Sequence, residues 1–537
     1  MLLFFRLFLQ PLLQTLYTLC ALYLVAYGAQ SAWLIYLYLQ KRNFTSPAKQ
    51  WFTSGGDAKV VSLPYVTIQL PIYNEHHVVE RLIDACTRQN YPKERLQIQV
   101  LDDSDDLTTT LAEARADYWR KHGYQVDVLR RSNRIGYKAG ALAHALPLAQ
   151  GEFIAIFDAD FLPPADFLAK TVPHLLDEVN QDVGFIQTRW EHLNREYSAL
   201  TQCQALALDA HFAIEQPVRS QSGYLFGFNG SAGIWRRECI EDPDVGGWQH
   251  DTLCEDLDLS YRAQLCGWQG LFLEDVFAPA EIPPQLLAFK RQQARWAKGS
   301  IQTLRKLSRR VWKSEKKLGV RIAGLLHLSN YILHPALLLM LLLTLPFLLT
   351  GTHTSAILAP LSITSLFTPL LYTLAQRKLH PKNWLRQLLY LPMLAVLGMG
   401  LSLSNSVAVW QALLGKQGTF LRTPKFRVEA EGDHWQGSIY RLPLDGLLIG
   451  EILLLLNALV TTGVAIAQRN VATAFFMLLY ALGFGLSISI QLGQAWSARR
   501  VVRRRTVMPT KGPLPTTSLA APSLPDFTTT KSQSTTV

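Results

Sequence analysis

The sequence predicts a soluble α/β domain inserted between transmembrane α-helices. Three observations carry this. Uncharged apolar runs lie towards both ends of the 537 residues, and strand-like and helix-like stretches alternate between them. Charge is also unevenly spread: the formal net charge is +11, yet residues 43–320 hold 35 acidic and 31 basic residues, a net of −4, while the rest hold 6 and 21. Charged residues make up 17% of the chain, well below the roughly one quarter usual in soluble proteins.

That distribution excludes a nucleic-acid binder, because such proteins carry their basic residues on the aqueous domain. Here the aqueous part is mildly acidic and the bases flank apolar runs, the pattern of segments facing anionic cytoplasmic lipid. The six cysteines include no Cys-x-x-Cys pair. This excludes a zinc ribbon or a disulfide scaffold and fits a reducing compartment.

Residues 1–42 form the first membrane segment. Residues 12–40 are uncharged and stop at Lys41-Arg42, longer than the about 20 residues a spanning helix needs. A cleaved signal peptide is the alternative, disfavoured by that length and by the basic stop. Residues 43–320 form the aqueous domain, with interfacial helices near 285–318. The uncharged run within 321–376 is long enough for two helices, with a turn near Gly351-Thr352-His353. Two more spans occupy 446–498, where Glu451 is the one charge before Arg469. Residues 387–415 have a polar middle of Gly398, Gly400, Ser402, Ser404, Asn405 and Ser406. If this run lies in the interface, within a 377–445 segment, nearly every basic cluster falls on one side. The expectation is therefore five spans, an outside amino terminus and a cytoplasmic domain. The basic segment and Pro/Thr/Ser-rich tail of 499–537 read as cytoplasmic and largely disordered.

Within the aqueous domain, VTIQLPIY (66–73), LQIQVLDDSDD (96–106), VDVLRR (126–131) and EFIAIFDAD (152–160) read as strands separated by helical stretches. That alternation implies a parallel sheet, whose ligand lies beyond the carboxyl ends of the strands. Both acidic clusters fall there. Asp-x-Asp occurs four times, at 103/105, 158/160, 242/244 and 256/258, so one copy alone says little. Asp158-Ala159-Asp160 differs because the strand FIAIF delivers it and Phe161-Leu162-Pro163 ends the strand straight after. Two carboxylates so placed suit a hard divalent cation on a diphosphate. No Walker lysine and no Gly-x-Gly-x-x-Gly is present, so neither P-loop nor dinucleotide chemistry is encoded.

Further segments have plain structural readings. Trp190 of QTRW and Trp235 of FGFNGSAGIWR suit core aromatics, and FNGSAG suits a turn before a strand. Glu255-Asp256 suits a helix start, where acids meet the positive end of the dipole. QQARW (292–296) sits in an amphipathic basic stretch that suits an interfacial helix.

Taken in order, DD (102–103), GYKAGAL (136–142), DAD (158–160), QTRW, FNGSAG, ED and Gln-x-x-Arg-Trp resemble the family 2 glycosyltransferases of the cellulose-synthase type. The pattern is most similar to the cellulose synthase-like A mannan and glucomannan synthases, and related bacterial β-glycan synthases share it. One departure is Cys254 before Glu255-Asp256, where cellulose synthases have threonine. The resemblance implies a GT-A (Rossmann-like) fold. It implies that Tyr73, Glu75 and Asp103 line the nucleoside pocket, that Lys138 meets the diphosphate, and that Asp158 and Asp160 hold Mg²⁺ or Mn²⁺ with it. Asp256 is implied as the general base, with Glu255 beside the acceptor. Gln292 and Arg295 are implied at the diphosphate and Trp296 as an acceptor platform. Phe420–Lys425 (FLRTPK) resembles a gating loop, with Thr423 and Lys425 its key positions.

The implied reaction is inverting transfer of a hexose from UDP-glucose or GDP-mannose to a growing β-linked glycan, coupled to secretion. Two other functions compete. A single transfer to a membrane lipid predicts a short lipid product. A transporter with a nucleotide-binding domain predicts paired charges inside the spans, and the sequence offers only Glu451.

Overall fold

The computed structural model describes residues 9–41, 63–352, 362–416, 418, 421–429 and 432–507. One seven-stranded sheet organises the middle of the chain, in the order β3-β2-β1-β4-β6-β5-β7. The strands are β1 Val66–Ile72, β2 Leu96–Asp102, β3 Gln125–Leu129, β4 Phe153–Ile156, β5 Val183–His192, β6 Gly233–Arg236 and β7 Gln269–Ala280. β1 to β4 run parallel, as the alternation predicts, and β5 pairs parallel with β7. The sheet as a whole is mixed, because β6 runs antiparallel between β4 and β5. The loop before β6 turns the chain back through left-handed residues, Gly230 at φ 81° and Ala232 at φ 55°.

Both faces of the sheet are covered, so β1, β2 and β4 are buried almost throughout. On one side Ile68, Val100 and Phe157 pack with Leu82, Ala112 and Phe167 from flanking helices. On the other, Ile154, Ile156 and Trp235 pack with Leu142, Phe185 and Leu259. The glutamines of β1 and β2 are buried but paired: Gln69 donates to Gln99 and Thr67 donates to Gln97, both at 2.9 Å. Each side chain thus has a partner, while Gln69 Oε1 and Gln99 Nε2 stay buried without one. Trp235 is fully buried and Trp190 stacks on Phe212 at 4.9 Å, so both tryptophans are core aromatics.

Among the described residues, four helices are long and apolar enough to cross a membrane: Gln10–Gln40, Leu318–Thr350, Leu447–Ala467 and Val471–Arg500. The chain is an integral membrane protein. Within 321–376, the helix to Thr350 is followed, after residues outside the described set, by the shorter helix Phe367–Leu379. That helix packs its Leu371 and Ala375 against Leu34 and Leu37 of the first span and Ile214 of the domain. The 387–415 run is a bent pair, Trp384–Gly400 and Ser402–Leu413, angled by 46°. The bend falls at a Gly-x-Ser junction, a common cause of sharp kinks. Its first half packs Leu397 and Leu401 against Leu200 and Phe289, and its second packs Ala408 and Val409 against Ala297 and Ile301. Most of the Pro/Thr/Ser-rich tail lies outside the described residues, as does Phe420.

Candidate active site

β1 and β2 are in register from Val66↔Leu96 to Ile72↔Asp102, so Tyr73 and Asp103 leave the sheet side by side. β4 ends at Ile156, two residues before Asp158. The turn that follows is pinned: Phe161 N–H donates to Asp158 O at 3.0 Å and Glu281 N–H donates to Asp160 O at 3.2 Å. The Asp158 N–H donates to the Ser231 hydroxyl at 2.9 Å, which ties the turn to FNGSAG.

Lys138 bridges these parts. It opens the helix Tyr137–Ala145 behind left-handed Gly136 (φ 72°). Its ammonium reaches Asp158 Oδ1 at 2.5 Å and Gly230 O at 2.8 Å, with Glu255 Oε1 at 3.8 Å. Burial alone would lower its pKa, but Asp158 and Glu255 outweigh burial and hold it above the ordinary lysine value. A Cβ on Gly230 would stand 2.8 Å from Asp256 Oδ2 and 3.3 Å from Lys138 Nζ. Only glycine leaves the Asp256 carboxylate and the Lys138 ammonium undisturbed at this position.

Glu255 and Asp256 do occupy the first turn of a helix, Glu255–Leu265, as the structural reading of these acids expects. Burial first, and the adjacent Glu255 charge second, raise Asp256 well above the usual carboxylate range. The helix Leu286–Lys313, carrying Gln-x-x-Arg-Trp, presses on the residue before them. A Cβ on Gly299 would lie 2.3 Å from Cys254 Sγ and 2.8 Å from its backbone N. Cys254 is buried and its thiol is held protonated by that burial, so it acts here as a packing residue.

The Thr-Pro-Lys loop closes the cavity. Arg422 lies 3.0 Å from Glu75, and the Lys425 ammonium bonds to Asp160. Glu281 positions the loop backbone, accepting from Phe426 N–H and Arg427 N–H, each at 3.0 Å. Thr423 is buried with its hydroxyl unpartnered. Burial raises Glu75 to about 8 despite Arg422 and Lys425 nearby.

Beyond the ends of β1 and β2, the Arg134 guanidinium covers the Tyr73 ring at 3.2 Å from its centroid. Arg131 grips Asp103 with two bonds of 2.8 and 2.6 Å. Neither arginine nor Arg422 is assigned a role by the sequence reading. The signal was present as Arg130, Arg131 and Arg134, a basic run directly after a strand whose neighbour ends in carboxylates.

One cavity collects most of the expected residues. Tyr73, Glu75, Asp103, Lys138, Asp158, Asp160 and Arg295 line it, closed by Arg422, Thr423 and Lys425. Glu255 and Asp256 stand beside it across Lys138 and Gly230. Gln292 and Trp296 are half-buried on the Arg295 helix and are not part of the cavity wall. Of the other Asp-x-Asp pairs, Asp242 caps a turn at Asp244 N–H and accepts from the Trp268 indole, and Asp258 is buried against Arg262 at 2.8 Å.

Among the described residues no group of three His, Cys, Asp or Glu is arranged to hold a metal. The pair Asp158 and Asp160 nevertheless fits a divalent cation shared with a diphosphate. The donors are all oxygen, as Mg²⁺ and Mn²⁺ prefer, and Asp160 Oδ1 is buried with no hydrogen-bond partner. Asp158 Oδ1 and Asp160 Oδ2 face the ammonium groups of Lys138 and Lys425, so the site already holds positive charge.

Residues 64–299 match the model of the glycosyltransferase like family 2. The chain is 40% identical over 277 residues to probable glucomannan 4-beta-mannosyltransferase 4 of Oryza sativa subsp. japonica, covering 51% of this chain and 49% of that protein. It is 42% identical over 252 residues to glucomannan 4-beta-mannosyltransferase 1 of Cyamopsis tetragonoloba, covering 46% and 47%. The chain thus spans about half the length of the curated relatives it matches. Among solved structures, the mannosyltransferase PcManGT of Pyrobaculum calidifontis, in complex with GDP-Man and Mn²⁺, aligns with a TM-score of 0.51 at 21% identity, over 75% of this chain and 100% of that one. That likeness bears on the fold, which is GT-A-like. The sheet domain of this membrane protein, residues 64–299, is thus similar to the glycosyltransferase like family 2.

Proposed function

We propose that the chain is a membrane-embedded inverting glycosyltransferase that moves mannose from GDP-mannose to a growing β-linked glycan. The single observation that carries this is the convergence on one cavity of Asp158, Asp160, Lys138, Arg295 and Lys425, with Asp256 across Gly230. The choice of mannose rests on the glucomannan 4-beta-mannosyltransferases at about 40% identity.

The roles follow from the positions. Tyr73, Glu75 and Asp103 face the nucleoside. Lys138, Arg295 and Lys425 neutralise the diphosphate, which makes it a competent leaving group. Asp158 and Asp160 hold the divalent cation, and a bound Mg²⁺ or Mn²⁺ supplies further charge neutralisation there. Asp256 takes the proton of the attacking acceptor hydroxyl, and its raised pKa suits a base working near neutrality. Attack on the face opposite the leaving diphosphate inverts the anomeric carbon, so an α-linked donor gives a β-linkage. Gln292 and Trp296, on the helix beside Asp256, flank the acceptor end.

In this reading residues 43–320 are cytoplasmic, the bent pair lies at the membrane interface, and 321–376 supplies two of five spans. The close packing of the bent pair against helices of the aqueous domain supports the interfacial placement. The membrane is the plasma or inner membrane, or that of the Golgi in a eukaryote. The test is purified protein in lipid, supplied with GDP-mannose or UDP-glucose and Mg²⁺ or Mn²⁺, with linkage analysis of the product. A β-mannan is expected. A hexose-lipid without polymer would overturn glycan extension in favour of single transfer to lipid.

A further inference from the structure

Glu451 is the one charge in the span Leu447–Ala467, and it is fully buried. An ionisable side chain in a span is costly and normally has a defined partner. Here the partner is the Lys290 ammonium, itself 2% exposed. The second Glu451 oxygen accepts from the Gln491 amide at 2.7 Å and the Ser487 hydroxyl at 3.3 Å. Lys290 stands on the helix Leu286–Lys313, two residues before Gln292 and five before Arg295.

The same end of that helix is tied once more to the last membrane helix and once to the segment that leads into Leu447–Ala467. Gln494 accepts from the Leu286 N–H at 2.9 Å and donates to Pro284 O at 3.1 Å. Gln285 donates to Leu442 O at 2.8 Å and accepts from Leu442 N–H at 3.0 Å. Ser487, Gln491 and Gln494 fall four and three residues apart, hence on one face of the last helix. A polar stripe on that otherwise apolar span therefore faces the start of the Arg295 helix.

A buried ion pair is a poor source of stability, since desolvation consumes most of its Coulomb energy and an apolar pair of similar volume often serves as well. What it supplies is register. The surrounding contacts of Leu286 and Phe289 with Leu397, Leu401 and Ile490 are apolar and tolerate sliding. The pair, with Gln491 and Ser487, is satisfied in one arrangement only. Register matters at the other side of the helix, where Gly299 leaves no clearance to Cys254 and Arg295 reaches the cavity.

We propose that Glu451 is a positioning residue that acts through Lys290, fixing the Arg295 helix against the last two membrane helices. The inference rests on the proposed glycosyl transfer for its kinetic consequence, though not for its structural one. The test uses the full chain in lipid nanodiscs and the neutral pair Lys290→Met/Glu451→Leu, which leaves no buried charge unpaired. Amide hydrogen exchange across 286–296 should become about ten-fold faster or more, with strand 153–156 unchanged. In transfer assays the neutral pair should lower kcat/KM about ten-fold in the parent, and less than about two-fold in an Arg295→Ala background, because non-additivity marks action through a shared group. Parental exchange rates in the neutral pair, or kinetic effects that multiply, would overturn the proposal. If the parent transfers no sugar, the proposed function fails, and the exchange measurement alone decides this inference.

Discussion

The Lys425 ammonium bonds to the Asp160 carboxylate, joining a loop beyond residue 420 to the end of β4, 265 residues earlier. The lysine holds Asp160 Oδ2, so its charge stands beside the free Oδ1 and opposes a cation on the same carboxylate. Lys425→Met should therefore bind Mn²⁺ more tightly than the parent when no donor is present, by several-fold. Transfer should fall about ten-fold or more, since the loop no longer contributes charge to the leaving diphosphate. Titration of Mn²⁺ by electron paramagnetic resonance checks the first part and initial rates the second. Unchanged Mn²⁺ affinity would show that the lysine does not compete for Asp160.

Asp256 carries the clearest pH signature. Its pKa is raised by burial and by Glu255, and a base works only when deprotonated. The rate should rise with pH through a limb displaced well above the ordinary carboxylate range. Glu255→Gln removes the like charge, so the limb should move to lower pH. Asp256→Asn should cut transfer by about 10²-fold or more with GDP affinity within about three-fold. An acid limb that stays in place in Glu255→Gln would refute this account of the shift.

Glu75 adds a stability term of defined sign. Burial raises its pKa from 4.5 to about 8, so between those values the folded protein keeps a proton that the unfolded chain releases. The stability it contributes is complete at the acid end of that window and is lost as pH rises through it. Glu75→Gln removes the term. Between about pH 5 and 8 the parent should lose more thermal stability than Glu75→Gln, and identical pH slopes in the two would contradict the shift.

The first four strands were legible because each combines an apolar run with a boundary: carboxylates after Leu101 and Phe157, arginines after Leu129. The short β6 was not, since four residues between FNGSAG and Arg237 say nothing about strand direction. The acids of the site were legible by their place at strand ends, but their partners were not. Arg422 meets Glu75, and Arg131 meets Asp103, only once the chain is folded, and no local spacing encodes such pairings. Glu451 looked isolated for the same reason, its partner Lys290 lying 161 residues away in an amphipathic stretch. The bend at Gly400 was half legible: glycine and serine mark a weak point in a helix, while the tight contact of Gly400 with Gly483 belongs to the packing.

Gly230 offers a test with a built-in control. Its φ of 81° is strained for any residue with a Cβ, and that Cβ would meet Asp256 Oδ2 at 2.8 Å and Lys138 Nζ at 3.3 Å. Gly223 has a similar φ of 67° with nothing within 4 Å. Both alanine variants therefore bear the same backbone penalty, on the order of 1 kcal/mol, and should show comparable small losses of thermal stability. Only Gly230→Ala places a methyl group between the base and the lysine. It should lose transfer activity about ten-fold or more, while Gly223→Ala keeps parental rates. Thermal melts and initial rates of the two variants, measured together, separate strain from chemistry. Equal loss of activity in both would mean that the Gly230 loop matters for its fold alone, and that Asp256 and Lys138 do not work across it.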